Sequence, residues 1–349
     1  MLSKWFKKKK SQSSSPKPIF NLQMDLTYCC NLSCRHCYQS SAISDKNELS
    51  LSEWKEVLSQ FENLTYKLGV IPSVLLSGGE PLVWPNLNEL IQYIYSKQIE
   101  ISLLTNGTLV NSKFAVFLKK YNVQVQISID GGDADSHDYF RGKGSFEKAA
   151  KGLEQLRVYN VPFVFQSVLQ KYNCGQIHNF FNLAKQFGAQ AMNFTRYLPN
   201  MHDTNEKTNE VQNMLSGKEL KKVFEEILFY SKEYMMPTAT HQPLWCLIDP
   251  HLGHPSSAGF LGLTIAPDGQ IQLTSRIFDP IGDAKKPDGL IKAYFDNKTV
   301  NKLRQGKIRG CSNCRHFLKC RGDRNISYVL SGDFLGPDEH CWFWQETFK

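Results

Sequence analysis

The sequence predicts an α/β fold, a partial (β/α)6 barrel with a small C-terminal domain. Three observations predict it. Six short runs rich in β-branched and large apolar residues alternate with helical stretches. The alternation stops near residue 200 and gives way to short strands among many Gly and Pro. The ten cysteines gather in two clusters, Cys29 to Cys37 and Cys311 to Cys341, with Cys174 and Cys246 between them. Repeated βα units bury a parallel sheet under helices, and six of them predict a TIM-like sheet that is closed or nearly closed.

Residues 1–18 read as a basic flexible tail. Lys4, Lys7, Lys8, Lys9, Lys10 and Lys17 stand there without an acid, so most of the formal net charge of +8 lies in this segment. Such an arm stays solvated or meets an acidic peptide, lipid or RNA. The segment lacks the apolar core of a secretory signal, and no apolar run has the length of a membrane span. The expectation is a cytoplasmic protein with reduced thiols. Nothing in the chain has the pattern of an RNA-recognition or helix-turn-helix module, so no nucleic-acid partner is expected.

Residues 19–215 form the predicted barrel. Its strands are "IFNLQMDLT", "SVLLSGG", "EISLLTNG", "VQVQISID", "VPFVFQSVL" and "AQAMNFTRY". The clearest helix is "LSLSEWKEVLSQFENL". Ser50 and Glu53 make a capping box, Leu49 can staple onto Trp54, and Leu51, Trp54, Val57, Leu58, Phe61 and Leu64 form one apolar stripe. In parallel sheets reactive groups collect beyond the C-terminal strand ends. Cys30 stands beyond the first strand, Gly78 to Glu80 beyond the second, Asn106 beyond the third and Asp130 beyond the fourth. A polar stretch, "NMHDTNEKTNEVQNMLSG", closes the barrel segment; residues 216–245 are a linker helix, and residues 246–349 the second domain.

Cys30, Cys34 and Cys37 are spaced C-x3-C-x2-C in "CCNLSCRHCY". Three thiolates on one loop can hold three irons of a [4Fe–4S] cluster and leave the fourth iron open to another ligand. The same spacing also suits zinc or a nest of buried thiols. Cys29 falls outside it and reads as a small core residue.

The loop does not stand alone. "CNLSCRHC", followed by "SGGEP" after the second strand and "SIDG" after the fourth, resembles the radical SAM superfamily over about residues 20–200. The resemblance implies a cluster whose open iron chelates S-adenosylmethionine. It places His36 at the position before the last cysteine of the signature. It also implies that Gly78, Gly79 and Glu80 meet the methionyl amine, that Ser128 and Asp130 line the cofactor site, and that Arg141, in "HDYFRGKGSF", pairs with the methionyl carboxylate.

Cys311, Cys314, Cys320 and Cys341 read C-x2-C-x5-C…C, a pattern open to structural zinc or iron–sulfur on spacing alone. "CSNCRHFLKCRGDR" with "DEHCW" is similar to the C-terminal part of a SPASM domain, an extension that holds auxiliary [4Fe–4S] clusters. The similarity implies that these four thiolates hold the distal auxiliary cluster. Thr274 and Arg324 stand where the pattern of the other auxiliary cluster has cysteine, and only Cys246 remains of its ligands. Two clusters per chain are therefore expected, with Arg324 filling the vacated space beside an acid such as Asp268 or Asp283.

The family reaction cleaves S-adenosylmethionine to a 5′-deoxyadenosyl radical that abstracts hydrogen from a C–H bond. SPASM enzymes mostly act on peptides, so the expected function is oxidative modification of a ribosomally synthesised precursor peptide, by crosslinking or related C–H functionalisation. An electron donor such as flavodoxin or ferredoxin is implied. With the first strand starting near residue 19, an N-terminal leader-binding domain is not expected. Leader recognition then falls to the barrel mouth, the 200–215 loop, the tail or a separate leader-binding protein. A tetrapyrrole or haem-pathway enzyme is the alternative. A sulfatase-maturase-like activity fits less well, because Thr274 and Ser275 replace the cysteine and acid that such enzymes carry. A non-catalytic metal scaffold does not explain why "CNLSCRHC" and "SGGEP" occur together.

Overall fold

The computed structural model describes residues 17–38, 47–199, 211–239 and 242–348. Most of the basic tail, and residues 200–210 of the polar loop, lie outside the described residues. The predicted alternation is present: β1 (Ile19–Asp25), α1 (Leu51–Leu68), β2 (Ile71–Ser77), α2 (Leu87–Ser96), β3 (Glu100–Thr105), α3 (Ser112–Lys120) and β4 (Gln124–Ser128). It continues with α4 (Ala134–Arg141), α5 (Ser145–Val158), β5 (Phe163–Leu169), α6 (Ile177–Phe187) and β6 (Met192–Arg196). After α7 (Gly217–Glu233) come β7 (Gly262–Ile265), β8 (Gln270–Gln272), β9 (Pro280–Asp283), α8 (Gly289–Phe295), α9 (Lys298–Arg304), α10 (Arg324–Ser331) and α11 (Trp342–Phe348).

Local sequence accounts for the helix ends. The Ser50 hydroxyl accepts from the Glu53 N–H, and the Glu53 carboxylate takes the Ser50 N–H at 2.7 Å, so the predicted capping box starts α1. Gly69, with φ of 64°, ends it in the left-handed conformation. The expected apolar stripe is inside: Trp54, Leu58, Phe61 and Leu64 are fully buried, and the Phe61 ring meets Phe20 of β1 at 5.6 Å.

The fold is the expected partial (β/α)6 barrel, and its sheet is not closed. Its nine strands run β6-β5-β4-β3-β2-β1-β7-β8-β9, parallel from β6 to β7 and antiparallel in the last two pairings. β7 pairs with β1, so one sheet runs unbroken across the boundary expected at Cys246. Strand alternation separates two faces. Phe20, Leu22 and Met24 of β1 lie in the core. Gln23, Ser102, Gln124, Gln126, Gln166 and Asn193 share the opposite face by register and are half-buried. A packed barrel lumen would carry branched apolar side chains there; a polar, partly open face is a chamber.

Arg276 ties the far ends of the sheet together, and Arg196 ties β6 to the C-terminal segment. Arg276, just past β8, donates to the Arg196 carbonyl at 3.0 Å and to Thr195 Oγ1 at 2.6 Å, both on β6. The Arg196 guanidinium grips the buried Asp338 carboxylate at 2.7 and 3.2 Å. Burial alone would raise the Asp338 carboxyl, but Arg196 holds it below the usual carboxylate range. A carboxyl depressed in the fold stabilises it above its unfolded value near 4 and loses that contribution as the pH falls below it. Arg196→Ala should therefore cost about 3–5 kcal/mol at neutral pH in urea unfolding, because it strands a buried carboxylate. The deficit should shrink in acid below about pH 4; a deficit under about 1 kcal/mol would place the pair among exposed ion pairs.

Candidate functional site

The cysteine loop leaves β1 at the chamber end of the sheet and is held by main chain. The pairing of β1 with β2 continues past both strands: Leu26 N–H donates to the Ser77 carbonyl at 2.8 Å, Gly79 N–H to Thr27 at 2.7 Å, and Glu80 N–H to Cys29 at 2.9 Å. This contact explains the two glycines. A Cβ on Gly78, whose φ is +132°, would stand 2.7 Å from the Thr27 oxygen, and one on Gly79 would overlap the Cys29 carbonyl. Other segments brace the loop. Glu48 accepts from Thr27 Oγ1 at 2.9 Å and Tyr28 N–H at 2.7 Å; Asn106 Nδ2 donates to Asn31 at 2.9 Å; Arg35 N–H donates to the Phe140 carbonyl at 2.8 Å.

Cys30, Cys34 and Cys37 stand on this one loop outside any disulfide, Cys30 and Cys37 exposed and Cys34 half-buried. Leu32 N–H points at the Cys30 sulfur at 3.4 Å. Burial pushes the Cys30 and Cys34 thiols up, and Arg141 pulls both down. Cys29 is exposed, which corrects its reading as a core residue; its contribution is the carbonyl that receives Glu80.

Glu80 lies behind the loop, 1% exposed. Its carboxylate accepts from Thr105 Oγ1 at 2.7 Å, Asn106 N–H at 2.8 Å and Leu82 N–H at 3.1 Å. Burial pushes its carboxyl up against these donors. Among the described residues it has no ion-pair partner within 4 Å.

Asp130 is a fully buried hub. Oδ2 takes Arg141 Nε at 2.6 Å and lies 3.0 Å from His36 Nε2, and Oδ1 takes Val168 N–H at 2.7 Å. Burial would raise this carboxyl; Arg141 and His36 hold it far below the usual range. Asp130 thus fixes Arg141 by one edge of its guanidinium, and among the described residues the two terminal amino groups of Arg141 have no hydrogen-bond partner. Ser128 ends β4 on the chamber face. Sequence reading missed His137, buried, whose Nδ1 faces Asp130 N–H at 3.4 Å and which burial pulls down to about 4. It also missed Asn31, Glu48 and Thr105, whose roles depend on distant partners; "TNG" after β3 was the available signal for Asn106.

At the C-terminal site three sulfurs accept from main chain: Cys314 from His316 at 3.5 Å, Cys320 from Leu244 at 3.3 Å and Gly322 at 3.4 Å, and Cys341 from Trp344 at 3.4 Å. Burial and the neighbouring anionic groups push Cys311 up to about 11 and Cys341 to about 12. Cys246, expected as the remnant ligand of the other auxiliary cluster, lies against one of these four. It is hydrogen-bonded to Cys320, a contact that holds Cys246 below and Cys320 above the usual thiol range. Arg324 does not pair with Asp268 or Asp283; it donates to carbonyls of its own domain. Among the described residues no three His, Cys, Asp or Glu side chains are gathered as around a single metal ion.

The donor sets fit the groups that the motifs imply. The first site offers three thiols, a buried carboxylate lacking a cation and a guanidinium with open amino groups, which suits a cluster and an amino acid bound beside it. The second offers four thiols, three of them with N–H donors that favour thiolate.

Residues 24–184 match the radical SAM superfamily model. Mycofactocin maturase MftC of Mycolicibacterium smegmatis is 29% identical, over 92% of this chain and 82% of the relative. AdoMet-dependent heme synthase of Methanosarcina barkeri is 28% identical, over 91% and 94%. Among solved structures, Streptococcus suis SuiB bound to precursor peptide SuiA superposes with a TM-score of 0.73 at 17% identity, covering 93% of this chain and 76% of that one.

Gly79→Ala tests how the loop is held. The added methyl has no room beside the Cys29 carbonyl, so the loop must shift, at an expected cost of about 1–3 kcal/mol. Iron bound after anaerobic reconstitution should fall clearly below that of the unaltered chain. Full iron and unchanged stability would show that the loop gives way freely.

Proposed function

We propose, from the premise that this chain belongs to the radical SAM superfamily, that it oxidatively modifies a ribosomally synthesised precursor peptide. The observation that supports this most directly is Arg141: a half-buried guanidinium, fixed at Nε by Asp130, whose two terminal amino groups have no hydrogen-bond partner among the described residues. A bidentate carboxylate fits such a fork.

In this reading Cys30, Cys34 and Cys37 hold the catalytic [4Fe–4S] cluster. Arg141 receives the methionyl carboxylate of S-adenosylmethionine, and Glu80 the methionyl ammonium. A buried carboxylate without a cation gains most from such a partner. Gly78 and Gly79 bring main chain to the same end of the cofactor, with Ser128 nearby. Asp130 and His36 serve by positioning Arg141 and the cysteine loop. When bound, the cluster and S-adenosylmethionine supply the reductive cleavage and the 5′-deoxyadenosyl radical. Residues 19–215 are the catalytic domain, residues 216–245 a linker helix, and residues 246–349 a SPASM-like domain with one auxiliary cluster on Cys311, Cys314, Cys320 and Cys341.

The peptide substrate is supported by the maturase relative and by a fold shared with a peptide-bound enzyme. An electron donor of flavodoxin or ferredoxin type and a separate leader-binding protein complete the reading. No helix among the described residues is long and apolar enough to cross a membrane; a cytoplasmic enzyme is part of the proposal. The haem-synthase relative supports a tetrapyrrole substrate as the weaker second reading.

Two measurements test this. Reconstituted enzyme should carry roughly eight irons and the Cys30/Cys34/Cys37→Ala variant about four, with formation of 5′-deoxyadenosine abolished. Undiminished cleavage in that variant removes the cluster from the loop. Co-expression with a precursor peptide encoded beside this chain should lower the peptide mass by a multiple of about two hydrogens, the mark of an oxidative crosslink. Unmodified peptide together with turnover of a porphyrin substrate would select the second reading.

A further inference from the structure

Arg324 occupies the first turn of α10 with a side chain that is 1% exposed. Nη1 donates to the carbonyls of Phe334 and Gly336 at 2.8 Å each, and Nε to Gly322 at 3.3 Å. Nη2 points at the Cys311 sulfur at 4.0 Å. Among the described residues no carboxylate lies within ion-pair range of it. The nearby aspartates are engaged elsewhere, Asp333 with Arg309 at 2.7 Å. Asp338 holds Arg196, and Asp323 caps α10 through Asn325 N–H. The place of the guanidinium is built into the chain. Gly322 has φ of +63°, and a Cβ there would overlap Arg324 Nη2.

A guanidinium stays protonated in proteins. Its burial without an anion costs several kcal/mol, and carbonyl dipoles offset only part of that. The missing anion has to be close, and Nη2 is aimed at Cys311, one of four cysteines that would hold a cluster. A [4Fe–4S] centre with four thiolates is a net dianion and becomes a trianion on one-electron reduction. A fixed cation beside it stabilises the reduced form more than the oxidised one.

We infer that Arg324 is the buried counter-cation of the C-terminal cluster and raises its reduction potential, which suits that cluster to accept an electron. The inference rests on reading the C-terminal site as a [4Fe–4S] site. A chain that loses a ligand of one cluster to arginine has, in this account, gained a charge that tunes the other.

The test uses the full chain carrying Cys30/Cys34/Cys37→Ala, which leaves only the C-terminal site, with Arg324→Gln or Arg324→Lys added. Iron content and the midpoint potential are read by anaerobic titration followed by electron paramagnetic resonance. At a fixed poise the reduced-to-oxidised ratio should fall about tenfold or more in Arg324→Gln, about 59 mV for one electron. Arg324→Lys should recover most of the loss. Iron lost in Arg324→Gln but kept in Arg324→Lys also supports a charge role. An unchanged potential with full iron in Arg324→Gln overturns the inference, as does equal iron loss in both variants, which makes Arg324 a packing element. No iron in the parent refutes the reading of the site itself, and the inference with it.

Discussion

The cysteine loop has no regular structure of its own; it takes its shape from a main-chain ladder that runs past the ends of β1 and β2. Gly79 and Glu80 donate to the Thr27 and Cys29 carbonyls, and neither glycine position leaves room for a side chain. Most of the site follows from this contact. It turns the Glu80 carboxylate inward, where Thr105 and Asn106 bind it and so fix the end of β3. Asn106 then reaches back to Asn31 on the cysteine loop. Three strand ends are locked in one circuit, and a shift of a few tenths of an ångström at the glycines would pass to all of them, because close-packed interiors transmit strain.

What the sequence made legible was local or periodic. The βα alternation, the Ser50–Glu53 box and the α1 stripe each repeat or close over short stretches of chain, and they hold in the structure. Residue types at strand ends were legible too, because alternation places Cys30, Glu80 and Asp130 beyond their strands. Side-chain partners were not. Asp130 meets Arg141 and His36, while "SIDG" shows only an acid after a strand. Cys246 meets Cys320 because residues 244–253 fold over it, an outcome of tertiary packing. The continuation of the sheet past β1 was equally hidden. It depends on β7 choosing β1 as neighbour across more than half of the chain, and no periodicity encodes that choice.

The buried charges divide into two kinds. Asp130 with Arg141 and His36, and Asp338 with Arg196, are complete in the chain as it stands, and they join elements distant in sequence. Such pairs fix geometry more than they add stability, since desolvation cancels much of their attraction. Glu80 and Arg324 are the other kind. Each is 1% exposed, each is hydrogen-bonded to several dipoles, and neither has an ion-pair partner among the described residues. Dipoles orient a buried ion but do not neutralise it. Each of the two sits beside a set of cysteines, and their signs are opposite. The acid belongs where an ammonium would bind, and the base where thiolates would gather around iron. Arg141 is intermediate, with one edge satisfied by Asp130 and the other open. The charge left over in the fold is therefore complementary, site by site, to the cationic and anionic groups that the two cysteine sets would bring.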